Sequence, residues 1–281
     1  MTGPPPPFAA RLHAGLQRHG PLCVGIDPHT ALLADWGLND DPAGLERFVR
    51  IVTEAVAGEV VAVKPQSAFF ERHGSAGIAV LERLLADLAE AGTLSILDVK
   101  RGDVGSTMTA YAQAYLLDAA PLAADAVTLS PYLGYESLRP AIDLAQETGR
   151  GVFVLGLTSN PEGAQVQHAG RPSVAERILA GAAADNAGAE PFGHVGLVVG
   201  ATVGAAIQDL GLDLCGAGGP VLAPGVGAQG GSPADLAATF GGVTGRLVVP
   251  ISRGLLSGGP SLDSLRHRMM QVRVQMDAAL G

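Results

Sequence analysis

Eight short apolar, β-branched runs recur along the chain, at residues 22–26, 60–63, 94–99, 126–129, 152–155, 195–199, 220–222 and 247–249. The seventh is short and bounded by proline. Most of the intervening stretches carry apolar residues at helical spacing. Leu45, Phe48, Val49, Val52 and Val56 form one such face, with Gly58 where a C-terminal cap belongs. Leu81, Leu84, Leu85 and Leu88 form a second, closed by Gly92, and Leu265, Met269, Val272 and Met276 form the last. The stretch after Val199 leaves room only for a short helix over 203–210. Strands that alternate with helices pair in parallel. Eight such units in 281 residues predict a (β/α)8 TIM barrel, a single domain over residues 11–281. Residues 1–10, which open as MTGPPPP, read as a disordered tail. The alternative is a doubly wound open sheet, which has fewer strands and one nucleotide crevice after the first.

Composition narrows the function. A chain this long buries enough core to need no staple, and Cys23 and Cys215 have neither disulfide nor zinc spacing. A net charge of −9 argues against a nucleic-acid binder that relies on a global basic field. No apolar run approaches the ~18 residues of a membrane helix, and the first residues lack a basic, then apolar, leader pattern. The expectation is a soluble cytoplasmic protein with no membrane or nucleic-acid partner. Of the 18 basic residues only two, Lys64 and Lys100, are lysine. Arginine holds its proton; lysine can exchange one. The two lysines are therefore the leading candidates for proton chemistry.

In a barrel the chemistry sits where strands exit. The exits read Asp27-Pro28-His29, Lys64-Pro65-Gln66, Asp98-Val99-Lys100-Arg101-Gly102-Asp103, Thr158-Ser159-Asn160-Pro161, Gly225-Val226-Gly227-Ala228-Gln229-Gly230-Gly231 and Ile251-Ser252-Arg253-Gly254. Asp98 and Lys100 stand two apart, so an extended strand turns both to one face. With Lys64 on the neighbouring strand they form an alternating lysine–aspartate network suited to a proton donor. A structural ion pair is the plainer reading of Asp98 and Lys100, and a helix cap the plainer reading of Asp103. Gly225 to Gly230 spells G-x-G-x-x-G, too late in the chain for a dinucleotide fingerprint. It reads better as a phosphate cradle, with Pro233 opening a helix whose N-terminus faces the anion and Arg253 supplying charge. His29, His73 and His168 lack metal-ligand spacing and read as surface or loop residues. Trp36, Tyr132 and Tyr135 read as packing residues.

The run Asp98-Val99-Lys100-Arg101-Gly102-Asp103-Val104-Gly105-Ser106-Thr107 resembles the D-x-K-x-x-D-[IV]-x-x-T motif of the orotidine 5′-phosphate decarboxylase family. Its surroundings are similar to the longer bacterial branch: Val24-Gly25-Ile26-Asp27-Pro28-His29, Val63-Lys64-Pro65-Gln66-Ser67, Ser130-Pro131-Tyr132-Leu133-Gly134, Thr158-Ser159-Asn160-Pro161 and Pro224-Gly225-Val226-Gly227, in order over about residues 20–255.

The resemblance implies cofactor-independent, metal-free decarboxylation of orotidine 5′-phosphate to UMP, the last step of de novo UMP synthesis, by a homodimer with shared active sites. It implies that Lys100 protonates C6, that Asp98 faces the scissile carboxylate, and that Asp27 and Lys64 hold ribose hydroxyls. Asp103 and Thr107 would reach the other subunit's site. Ser159 would bind the pyrimidine edge, and Gln229 and Arg253 the 5′-phosphate. Two other functions compete: a Mg-dependent sugar-phosphate decarboxylase or synthase, for which Glu71 is the nearby extra acid, and a non-catalytic nucleotide-phosphate-binding barrel.

Overall fold

The computed structural model describes residues 5–227 and 230–280. Its strands are β1 (Leu22–Ile26), β2 (Ala62–Pro65), β3 (Leu94–Arg101), β4 (Ala126–Leu129), β5 (Gly151–Leu157), β6 (Val195–Val199), β7 (Val221–Leu222) and β8 (Leu247–Ile251). All pair in parallel, each with the next, and β8 returns to β1 through Leu22–Val249 and Val24–Ile251 to close a barrel. The TIM barrel expected from the sequence is the observed fold, and the open sheet is excluded.

The helices in chain order are α1 (Phe8–His19), α2 (Thr30–Asp35), α3 (Pro42–Val56), α4 (Ala68–Glu71), α5 (Gly74–Glu90), α6 (Gly105–Leu116), α7 (Arg139–Glu147), α8 (Ala164–Gln167), α9 (Val174–Asp185), α10 (Gly204–Asp209), α11 (Pro233–Phe240), α12 (Arg253–Leu256) and α13 (Leu262–Leu280). Local chemistry fixes several starts. Asp41 accepts from Gly44 N–H at 2.8 Å with Pro42 in the first turn of α3. Ser173 and Glu176 form a reciprocal capping box on α9. Gly58 and Gly92 take positive φ just beyond α3 and α5, as their C-cap reading requires.

Period-two alternation sorts the strand residues. Leu22, Val24 and Ile26 face outward into the layer beneath the helices, as do Leu97, Val99, Val152 and Val154. Cys23, Ala62, Leu94, Ile96, Ala126, Phe153, Leu222 and Val248 face inward and fill the barrel. Phe153 occupies so much of it that a Cβ at Gly196 would lie 2.5 Å from its ring.

The N-terminus departs from expectation. Residues 8–10, expected within a tail, belong to α1, because Phe8, Leu12 and Leu16 recur at i, i+4 and i+8 and bury against the barrel floor. Phe8 meets Phe153 edge-on at 6.1 Å, and Arg11 is ion-paired to Asp125. The barrel is thus plugged at its N-terminal end, and its opening lies at the other.

Candidate active site

The inward series continues upward. After Cys23 and Gly25 comes Asp27; after Ala62 comes Lys64; after Leu94 and Ile96 comes Asp98; after Ala126 comes Thr128. The apolar filling of the barrel therefore gives way to charge at the carboxyl ends of the strands. A cavity of about 440 Å³ opens there. Asp27, Lys64, Asp98, Lys100, Ser159 and Arg253 all line it. Gly25 lies on the same wall, and a Cβ there would sit 3.0 Å from that of Ser252, so glycine keeps the space open.

Asp98 is the hub. Its Oδ2 accepts from Lys64 Nζ at 2.9 Å and from Gln66 Nε2 at 2.9 Å. Its Oδ1 accepts from Lys100 Nζ at 2.5 Å and from Thr128 Oγ1 at 2.8 Å. A carboxylate has about four acceptor sites, and all are taken. Burial pushes the Asp98 carboxyl upward, but the Lys64 and Lys100 charges and their hydrogen bonds outweigh it and hold the group far below the usual carboxylate range. Burial likewise opposes charge on Lys64, yet Asp98 and then Asp27 raise its ammonium above its ordinary value. Both members of this pair are therefore charged at neutral pH.

The two lysines differ in access. The Lys64 side chain is 7% exposed and that of Lys100 46%. Lys100 also reaches Asp98 by another route than simple alternation. The β3–β4 register slips between Leu97 and Arg101, and Lys100 sits at φ +45°, alone among the described non-glycine residues. That conformation costs roughly 1–2 kcal/mol in an L-residue.

The opposite wall is less satisfied. Asp27 Oδ1 lies 3.9 Å from Lys64 Nζ and, though buried, has no hydrogen-bond partner among the described residues. Ser252 Oγ is in the same position. Arg253 opens α12, is exposed, and makes no ion pair among the described residues. Ser159 follows β5 on a loop braced by Gln167, which accepts from Thr158 N–H at 2.9 Å and donates to Thr158 Oγ1 at 2.7 Å.

Several expectations are corrected by geometry. The N-terminus of α11 is closed by a capping box of Ser232 and Asp235, which places a carboxylate there, and no described residue of α11 lines the cavity. The glycine-rich loop also bonds to itself, Gly227 N–H donating to Gly231 O at 2.8 Å. Among the described residues of the loop, Gly225 and Val226 line the cavity. Gln229 lies outside the described residues. Asp103 does not cap α6 through its side chain; it is half-buried and, among the described residues, accepts only from Val104 N–H at 2.8 Å. Asp103 and Thr107 do not line the cavity. Glu71 is engaged by Ser67 Oγ and Arg101; it does not line the main cavity, though it shares a neighbouring groove with Asp98 and Lys100. His29 is a wall residue, edge-on to Phe69 at 4.4 Å. Tyr132 is 78% exposed, whereas Trp36 and Tyr135 are buried. Gln66 and Thr128 complete the Asp98 hub without having been singled out. Their signal was position: each falls on the inward series or just past it, on a strand flanking β3.

Fold and site together define a barrel enzyme of the acid–base type, with its charged groups at the carboxyl ends of the strands. A family model for orotidine 5′-phosphate decarboxylase / HUMPS matches residues 20–263. The chain is 56% identical over 278 residues to orotidine 5′-phosphate decarboxylase of Streptomyces coelicolor, covering 98% of each chain. It is 54% identical over 276 residues to that of Salinispora arenicola, covering 97% of this chain and 98% of the other. A crystal structure from Streptomyces avermitilis, provisionally described as the same enzyme, superposes with a TM-score of 0.94 at 55% identity, covering 99% of this chain and 97% of the other. The OMP decarboxylase of Leishmania donovani superposes at 0.74 with 30% identity, covering 97% and 98%. The chain belongs to the orotidine 5′-phosphate decarboxylase / HUMPS family. Among the described residues no helix is long and apolar enough to cross a membrane, and no three His, Cys, Asp or Glu side chains are grouped for a metal.

Proposed function

We propose that the protein decarboxylates orotidine 5′-phosphate to UMP in the cytoplasm, as the last step of de novo UMP synthesis, without cofactor or metal. One observation carries this reading: the Lys100 ammonium is held on Asp98 at the cavity wall while nearly half its side chain stays open to a ligand. The bond from C6 to the carboxylate breaks, CO₂ leaves, and the electron pair stays in an in-plane orbital on C6. That orbital does not delocalise into the ring, so a fixed adjacent cation is the useful stabiliser. The Lys100 ammonium supplies it, gives its proton to C6, and is reprotonated from water.

Asp98 faces the departing carboxylate in this reading. At ~4 Å and an effective dielectric of ~20 their repulsion is about 4 kcal/mol, a fraction of the up to ~20 kcal/mol that large accelerations need. Binding energy from the remote phosphate supplies a further part. Arg253 and the Gly225–Val226 turn grip that phosphate with Gln229. Asp27, whose buried Oδ1 lacks a donor, takes a ribose hydroxyl with Lys64, and Ser159 takes the pyrimidine edge. The test is an absorbance assay with orotidine 5′-phosphate, with and without EDTA. Turnover that survives chelator is expected. Turnover lost with chelator favours the metal-dependent relative, and UMP binding without turnover favours a non-catalytic barrel.

The same reading makes the protein a homodimer. Val104, just past β3, and Tyr132 and Leu133, just past β4, are 53–78% exposed, apolar surface at two adjacent strand exits that a two-fold partner covers. Asp103, which has no ion pair among the described residues, then completes the partner's network. Lys100→Ala and Asp103→Ala proteins, each inactive alone, should recover roughly a quarter of wild-type activity after subunit exchange, since half the dimers are mixed and half their sites intact. No recovery despite exchange confirmed by tagged co-purification would confine Asp103 to its own chain.

A further inference from the structure

We propose that Thr128 is a positioning residue that sets the orientation of the Lys100 proton donor, acting through both the Lys100 backbone and Asp98. This rests on the reading of Lys100 as that donor. Thr128 lies at the top of the inward face of β4 and is 1% exposed. Its hydroxyl makes two bonds with defined directions. It accepts from Lys100 N–H at 2.9 Å and donates to Asp98 Oδ1 at 2.8 Å. The Oδ1 atom that it reaches also receives the Lys100 ammonium, at 2.5 Å. Thr128 thus holds both ends of Lys100, its backbone directly and its charge through one shared oxygen.

The backbone end matters because of the slipped register. Between Leu97 and Arg101 the β3–β4 ladder loses its regular pairing, and the Lys100 amide turns to a side chain instead. The residue sits at φ +45°, a conformation that L-residues leave unless something holds them. Thr128 Oγ1 supplies the hold. In the regular extended conformation Lys100 would project from the strand by ordinary alternation; at φ +45° its side chain folds back onto a residue only two positions earlier. Removing the hydroxyl therefore leaves the Lys100 amide without its acceptor and frees Lys100 to relax toward the extended conformation. It also removes one of the four donors that saturate Asp98.

Valine has the shape of threonine without its hydroxyl; serine keeps the hydroxyl and loses the methyl. Thr128→Val should lower kcat 10- to 100-fold while KM and UMP affinity move less than threefold, because the groups assigned to phosphate, ribose and base are untouched. Thr128→Ser should return kcat to within fivefold of wild type. Should the valine protein fail to accumulate, Thr128→Ala carries the same expectation. A purely structural role predicts otherwise: lower melting temperatures but an unchanged kcat per folded site, or serine no better than valine. Either result overturns the inference. Lys100→Ala, measured in the same assay, separates this failure from that of the parent reading. If Lys100→Ala is inactive and Thr128→Val is fully active, only the role of Thr128 is lost; if Lys100→Ala is active, the role of Lys100 falls as well.

Discussion

The β2–β4 side of the barrel mouth and the side built by β1, β8 and α12 present opposite states. On the first, every acceptor site of Asp98 is filled from within the chain, by Lys64, Gln66, Lys100 and Thr128. On the second, Asp27 Oδ1 and Ser252 Oγ are buried without partners, and Arg253 is exposed and unpaired among the described residues. A self-satisfied network holds its geometry before any ligand arrives, which is what electrostatic preorganisation needs. Unsatisfied groups gain partners only when a ligand supplies them, which is what binding needs. Under the proposed function, chemistry falls to the first side and grip to the second.

The largest expected effect lies on the preorganised side. Lys100→Ala should lower kcat on the order of 10⁴-fold or more, since under the proposed function it removes both the general acid and the cation beside the developing charge. Lys100→Arg should be nearly as inactive, because guanidinium does not release its proton. Substantial turnover in the arginine protein would break the assignment.

Arg253→Ala tests the other side. It should lower kcat/KM for orotidine 5′-phosphate roughly 100- to 1,000-fold, about 3–4 kcal/mol. For orotidine without its phosphate the loss should stay under tenfold. Equal losses on the two substrates would show that Arg253 does not hold the phosphate.

The two sides should also separate in stability and in its pH dependence. Breaking the buried network with Asp98→Asn should cost about 3–5 kcal/mol; Arg253→Ala, on an exposed side chain with no ion pair among the described residues, should change stability by less than about 0.5 kcal/mol. The Asp98 carboxyl is depressed in the folded state. Its contribution is therefore full above the unfolded value of about 3.9 and is lost as pH falls below it. The Lys64 ammonium is raised, so its contribution is full below about 10.4 and is lost as pH rises further. Denaturant unfolding should show a constant gap between wild type and Asp98→Asn from about pH 5 to 9, narrowing at lower pH. A gap that widens on acidification would contradict the charged pair.

The barrel was legible because its signal is repeated: eight apolar runs with helical stretches between them leave few topologies. The charged rim was legible for a related reason. Only two lysines occur in the chain, and period two turns Lys64 and Asp98 inward above apolar neighbours on the same face. Other features depend on contacts between distant segments. The proline-rich start obscured the i, i+4, i+8 pattern of Phe8, Leu12 and Leu16, whose burial needs the barrel floor. β2 runs to Pro65, beyond the apolar run at 60–63, because pairing with β1 sets Lys64 opposite Gly25 and Pro65 opposite Ile26. The left-handed Lys100 follows from a slip between β3 and β4, which no one-strand pattern encodes. The capping box at Ser232 and Asp235 has a local signature, serine followed three residues later by an acid, but the glycines before it carry an equally local anion-binding signature.

The division of the rim into a chemical side and a gripping side is tested most directly by calorimetric titration of UMP into the Lys100→Ala and Arg253→Ala proteins. The expected result is a crossover. The Lys100→Ala protein, inactive in turnover, should bind UMP within about threefold of wild type, while Arg253→Ala should weaken binding roughly 100-fold or more, about 2.7 kcal/mol. Comparable losses in both proteins, or a greater loss in Lys100→Ala, would contradict it.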